Sequence, residues 1–181
     1  MKTALQLWTM PQPCRDLGHE LVEADLSGAG EPEAFMQAFN VLWYSGCAST
    51  IDTIARMGGI PPQADYFEPL TWAIYEIGRE FSASDYLTAL RTIQSASREV
   101  GKFFADYDVL LTPVLAEPPV NIGTFDAPES NPMQAWERIV EFAPFTATFN
   151  ATGQPAMSVP LYWNRDNLPV GTHFVGRFGD E

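Results

Sequence analysis

The sequence predicts an α/β fold, and one that is part of a larger body. Three observations carry this. Three apolar stripes recur at helical spacing, whereas only three or four segments read as strands, all of them short. The chain also closes on Gly179-Asp180-Glu181, where acidic residues suit the first turn of a further helix that does not follow. With 181 residues one domain is the default, and a sizeable core is possible. Twelve Phe, six Tyr and five Trp predict a well-filled interior, and fifteen Pro with thirteen Gly predict many fixed turns.

Met10-Pro-Gln-Pro13 interrupts a helical pattern. Leu17 to Glu23 reads as a helix end turning into a short strand, with Gly18 suited to a C-cap. The first long helix starts near Pro32, a residue that fits the first helical turn. Phe35, Phe39, Leu42, Trp43 and Gly46 share one face, and Ile51, Ile54 and Ala55 extend the apolar content. Gly58-Gly59 and Pro61-Pro62 stop that helix. A second helix spans Pro69 to Phe81, with Leu70, Ile74, Ile77 and Phe81 as its stripe.

Ser82-Ala-Ser-Asp85 is a start signal for a third helix, with Ser84 an alternative N-cap. Its stripe is Tyr86, Leu90, Ile93, Ser97, Val100 and Phe104, and it ends near Tyr107. Val109 to Leu111 reads as a short buried strand ended by Pro113. The Pro-rich stretch to about Pro132 exceeds an ordinary connector, which leaves it functional, packed on a larger body, or mobile. A short helix covers Met133–Phe142, with Trp136, Ile139 and Val140. Two strands follow, near Ala156–Leu161 and Val170–Val175, joined by the turn residues Arg165-Asp-Asn167.

The net charge is -13. No Lys/Arg cluster is available to neutralise phosphates, so nucleic acid is excluded as a partner, and an anionic membrane surface is disfavoured. No apolar run approaches the roughly 20 residues of a membrane span, and no h-region follows Lys2. Cys14 and Cys47 form no CxxC pair, and His19 and His173 lie far apart, so neither a metal site nor another cofactor is expected. Two free thiols fit a cytoplasmic protein.

Several segments, in order, resemble the amidase signature family. Leu17-Gly-His-Glu-Leu-Val-Glu-Ala24 and Tyr107-Asp-Val-Leu-Leu-Thr-Pro113 are the first two. Glu117-Pro-Pro119 and Ile122-Gly123 continue the series. Pro144-Phe-Thr146, Phe149-Asn150, Thr152-Gly-Gln-Pro-Ala156, Gly176-Arg177 and Gly179-Asp-Glu181 complete it. Within the family, the wording around Glu117 and across His173 to Arg177 is most similar to bacterial amidases. The resemblance implies a mixed sheet covered by helices. It also implies amide hydrolysis by a Ser–cis-Ser–Lys triad, in which a neutral lysine takes the serine proton through the bridging serine. The family places its lysine and its Gly/Ser-rich signature N-terminal to everything matched here. Of the lysines, only Lys2 and Lys102 occur, and no Gly-Gly-Ser-Ser-Gly-Gly stretch is present. No catalytic residue is therefore carried over. The expectation is a partial amidase-signature-like fold across residues 1–181: an incomplete single domain, with its N-terminal half and last helix absent, inactive alone.

The candidate substrate-binding residues are Cys47, Thr112, Asn150, Thr152, Gly153 and Gln154. The last four read as a polar loop ahead of a strand; they line an amide cleft or serve as loop scaffolding. Thr112 ends a strand, where clefts of α/β folds open, though Pro113 also simply terminates it. Cys47 is either a pocket wall or a small core residue. His173 reads as a hydrogen-bonded structural histidine. The leading function is a fragment of a carboxamide hydrolase, handling a small amide once an N-terminal half completes it. The alternatives are one half of a split amidase and a non-catalytic binding or assembly module. A cysteine hydrolase built on Cys47 is a weaker option. Exposed sheet edges would favour self-association or a complementary chain.

Overall fold

The computed structural model describes residues 12–24, 26 and 31–181. Lys2, Met10 and Pro11 lie outside the described residues. The helices are α1 (Gln12–Asp16), α2 (Pro32–Gly58), α3 (Pro69–Glu80), α4 (Ala83–Asp106), α5 (Met133–Phe142) and α6 (Ala147–Thr152). The strands are β1 (Leu110–Pro113), β2 (Ala156–Trp163) and β3 (Pro169–Val175). The chain forms two compact units. A helical unit comprises residues 30–96 and 122–140, and a sheet unit comprises residues 1–29, 97–121 and 141–181.

In the helical unit, Pro32 opens α2 and Gly59 closes it at φ 67°, its N–H returning to the Ala55 carbonyl. That positive φ costs a glycine nothing. Phe35 and Ile51 of the expected stripe are buried, but Trp43 and Ile54 are exposed, and Ala38, Tyr44 and Ala48 take the inner positions. The reason is Gly78 on α3. A Cβ there would overlap the Tyr44 carbonyl oxygen, so α3 approaches α2 more closely than any side chain permits. Ala48 shares this contact, Tyr44 meets it through its backbone carbonyl, and Trp43 and Ile54 lie off the buried face. Beside the contact, Ala48, Ile51 and Tyr75 form a core backed by Cys47, Phe67 and Trp72. Tyr75 Oη donates to Asp52 Oδ1 at 2.8 Å and accepts from Arg79 Nη1 at 3.1 Å. Burial and the Asp52 carboxylate push the Tyr75 hydroxyl's pKa upward, so it stays a donor.

The start signal of α4 resolves in favour of Ser82. Its N–H and Oγ both donate to Asp85 Oδ2, at 2.8 and 2.7 Å, and Asp85 N–H returns to Ser82 Oγ at 3.2 Å. This is the reciprocal pattern of a capping box. Ala89, Ile93, Ala96, Val100 and Phe104 are buried along α4, while Tyr86 at its start is exposed.

In the sheet unit the strand order is β1-β3-β2, and both pairings are antiparallel. The mixed character implied for the whole family sheet is not represented in these three strands. β3 is central, which explains why neighbouring residues Thr172 and His173, facing opposite sides, are both buried. Val100, Phe104, Phe149 and Val175 form the core beneath it, with Leu26, Phe103 and Leu110 at its margin. Arg177 Nε donates to the Phe104 carbonyl at 3.1 Å, tying the end of β3 to α4. The β2–β3 turn is closed by Asn164, whose Oδ1 accepts from the N–H groups of Asp166 and Leu168.

Two expectations are corrected. Leu21–Glu23 form no strand; the segment is extended coil, with Val22 60% exposed and no ladder partner among the described residues. The loop expected at Asn150–Gln154 is in part helix: Asn150 and Thr152 belong to α6, and Gly153 caps it at φ 84°, its N–H returning to Phe149 O. Six residues are too few to display a stripe, which is why composition suggested a loop. The Pro-rich segment holds ordered turns, closed by Asp126 N–H to Gly123 O and Asn131 N–H to Pro128 O.

Gly78→Ala is expected to destabilise the protein by about 1–3 kcal/mol through overpacking against Tyr44. Gly46→Ala, on α2 with open space around it, should instead stabilise by up to about 1 kcal/mol. Chemical denaturation of both variants reads the two signs.

Candidate functional site

The sheet unit holds five of the six expected site residues. Thr112 sits in β1 directly opposite His173 of β3, and His173 in turn faces Ser158 of β2. The Thr112 hydroxyl donates to the Pro113 carbonyl at 2.9 Å and lies 3.1 Å from His173 Nδ1. Phe149 of α6 meets the other side of the imidazole, edge to face, at a centroid distance of 5.6 Å. Burial lowers the His173 pKa, so the ring is held neutral.

α6 presents its candidates unequally. Asn150 is exposed and Thr152 is buried. Thr152 Oγ1 donates to the Thr148 carbonyl at 2.8 Å and is also hydrogen-bonded to the side-chain amide of buried Gln154. Gly153 sits between them, and a Cβ there would come 3.0 Å from the Phe178 ring. The chain then enters β2, with Gly176 N–H donating to Pro155 O at 2.9 Å. Chemically, Thr112 and Thr152 are already hydrogen-bonded, and Asn150 offers a free-standing amide for a ligand's polar group. Thr152, Gly153 and Gln154 form the capped corner between α6 and β2.

Cys47 does not join this group by sequence unit; it lies in α2 of the helical unit, half-buried against Ala48, Ile51 and Tyr75. Burial raises its thiol pKa, which disfavours the thiolate, and the helical unit contains no histidine to act as its base. Lys102 is 72% exposed and paired with Glu99 at 2.9 Å. No group of three or more His, Cys, Asp or Glu side chains able to hold a metal exists among the described residues. No described helix is long and apolar enough to cross a membrane.

The sequence reading treated His173 as structural and did not pair it with Thr112. The available signal was the antiparallel register of two short strands sixty-one positions apart, which no local pattern reveals. The Asp52–Tyr75–Arg79 network was likewise missed. Its Tyr75 and Arg79 are one helical turn apart, but the Asp52 partner comes from another helix.

Thr152→Val should cost about 1–3 kcal/mol, because the buried Gln154 amide loses its partner. Asn150→Ala, at an exposed position, should change stability by no more than about 0.5 kcal/mol. Thermal melts of the two variants check the contrast.

Comparison with known proteins identifies the family and the fold. The Amidase family model matches residues 6–181. A lipoamidase of Enterococcus faecalis is 28% identical over 189 aligned positions, covering 92% of this chain and 25% of its own length. The structure of 6-aminohexanoate cyclic dimer hydrolase in complex with substrate superposes with a TM-score of 0.82 at 20% identity, over 92% of this chain and 36% of that one. A vestigial protein complex bearing on the origins of an s-triazine catabolic enzyme superposes at 0.62 and 20% identity, over 83% of this chain and 32% of that one. The chain spans 19% to 34% of the length of the curated relatives it matches. With its match running over nearly the whole of its sequence, the chain belongs to the amidase family.

Proposed function

We propose that this chain is the C-terminal portion of a carboxamide hydrolase, supplying one wall of the substrate cleft and not the nucleophile. One observation carries the reading: a match over almost all of this chain corresponds to 25% to 34% of its relatives' length. The Ser–cis-Ser–Lys chemistry implied by the family motifs belongs to sequence that these residues do not match, and Lys102 is an exposed, ion-paired side chain. In this reading Asn150 and the end of β1 at Thr112 face the amide, while Thr152, Gly153 and Gln154 fix the corner that positions Asn150. Cys47 is part of the helical core.

Such a portion needs a complement. The outer edges of β1 and β2 are unpaired among the described residues, and β2 carries Met157 and Trp163 at 60% and 55% exposure. These features suit a complementary chain or self-association. The neighbour found in a vestigial protein complex favours a second reading, in which the chain is an assembly module that does no chemistry itself.

The chain alone is expected to show no turnover of simple linear, cyclic or aryl amides. Supplying the N-terminal half of a homologous amidase should restore hydrolysis that serine-directed inhibitors abolish. Inhibitor-sensitive turnover by this chain alone would sink the proposal. Tight binding of the complement without any turnover would favour the assembly module.

A further inference from the structure

The His173 side chain touches both arms of the candidate site. On one side its ring meets the Thr112 hydroxyl at the end of β1, and on the other it packs on Phe149, one residue before Asn150. Assigning the Thr112 hydrogen to the Pro113 carbonyl sets the tautomer. Thr112 has a single hydroxyl hydrogen, and it goes to the Pro113 carbonyl. His173 Nδ1 must then carry a hydrogen and donate to Thr112 Oγ1, which leaves Nε2 to take any further proton. That proton would place a charge in the seam between β1, β3 and α6, where His173 is 5% exposed.

Among the described residues no charged side chain pairs with the ring. β1, β3 and α6 contain no charged or titratable residue besides His173 itself, and β2 contains only Tyr162, opposite Val170. The charged groups of the covering half of α4 are engaged or turned to solvent. Lys102 pairs with Glu99, Arg98 and Asp106 are exposed, and Arg177 gives its Nε to the Phe104 carbonyl. Tyr107 stacks on Phe103.

We propose that His173 is a proton-sensitive pin joining β1 to α6, so that protonating its ring shifts Thr112 and the Phe149–Thr152 segment together. This goes beyond the hydrolase reading and holds whether or not the chain takes part in catalysis. The sign follows from burial. The folded ring holds its proton less tightly than the unfolded one. The stabilising effect of the neutral ring is complete above the unfolded value, about 6.5. It is lost as pH falls from there through the lower folded value, the unfolding constant rising by up to about tenfold per pH unit.

The test is an NMR titration of the full chain from neutral to mildly acidic pH. The backbone amides of Thr112, Phe149 and Thr152 should move with the midpoint of the His173 ring. In His173→Gln those movements should vanish while the rest of the amide spectrum stays dispersed. Should that variant fail to fold, Thr112→Val serves instead: the α6 amides should still follow the ring, and the amide at position 112 should lose its dependence. Static α6 and β1 amides while the ring titrates would overturn the proposal. So would amide movements that survive in His173→Gln, or loss of all dispersed signals before the ring titrates.

Discussion

The sheet unit depends on the double burial of β3. A strand paired on both edges and covered on both faces has no solvent-facing side on which to hide a polar residue. Each polar side chain it carries must find a partner inside, and His173 finds Thr112. The same burial recruits apolar neighbours: Val175 reaches Phe104, Val100 and Phe149, so α4 and α6 are both anchored on one strand. Gly171 belongs to this constraint as well, since a Cβ there would press on Ser158 Oγ at 2.6 Å and Val114 Cγ2 at 2.8 Å. β3 therefore sets where the end of β1, the start of β2 and the corner at Gly153 can lie.

The helical unit answers to a different constraint, the close approach of backbone to backbone at Gly78. At the closest point α3 presents Gly78 to the Tyr44 carbonyl and Ala48, which leaves no room there for a larger side chain. Trp43 turns out to the rim, where it stacks with Phe39 and approaches Trp136, while Tyr44 is buried beneath with its pKa pushed up to about 12 by desolvation. The Asp52–Tyr75–Arg79 chain then fastens the far end of the same helix pair by hydrogen bonds that span both partners.

The sequence made the helices legible because each is long enough for its period to repeat. The bounds of α2, α3 and α4 follow from Pro32, Gly58-Gly59, Pro69 and the Ser82–Asp85 box, all of which act within a few residues of themselves. Which face is buried was less legible, because the Gly78 contact depends on two helices at once. α6 is too short to show a period, and the short strand expected toward Glu23 is extended coil with no ladder partner among the described residues. In the candidate site, motif resemblance located Thr112 and the Asn150–Gln154 corner. It did not distinguish the outward amide of Asn150 from the internal bonds of Thr152 and Gln154. That difference comes from the capped turn at Gly153, a tertiary packing outcome against Phe178. It also could not show that Cys47 belongs to a different compact unit.

The irregularity of β2 gives its outer edge a direction. The register slips between Pro160, opposite Gly171, and Tyr162, opposite Val170, so Leu161 is an extra residue in the ladder. Proline brings no amide hydrogen, and a bulge twists the strand where it occurs. The edge is thus divided: Ala156 to Val159 precede the break and keep regular spacing, while Tyr162 and Trp163 follow it. Unlimited stacking of identical copies, which needs an unbroken row of donors and acceptors, is obstructed at Pro160. The regular stretch of that edge is therefore the four residues Ala156–Val159, and the length of edge that keeps ladder spacing is set by the bulge.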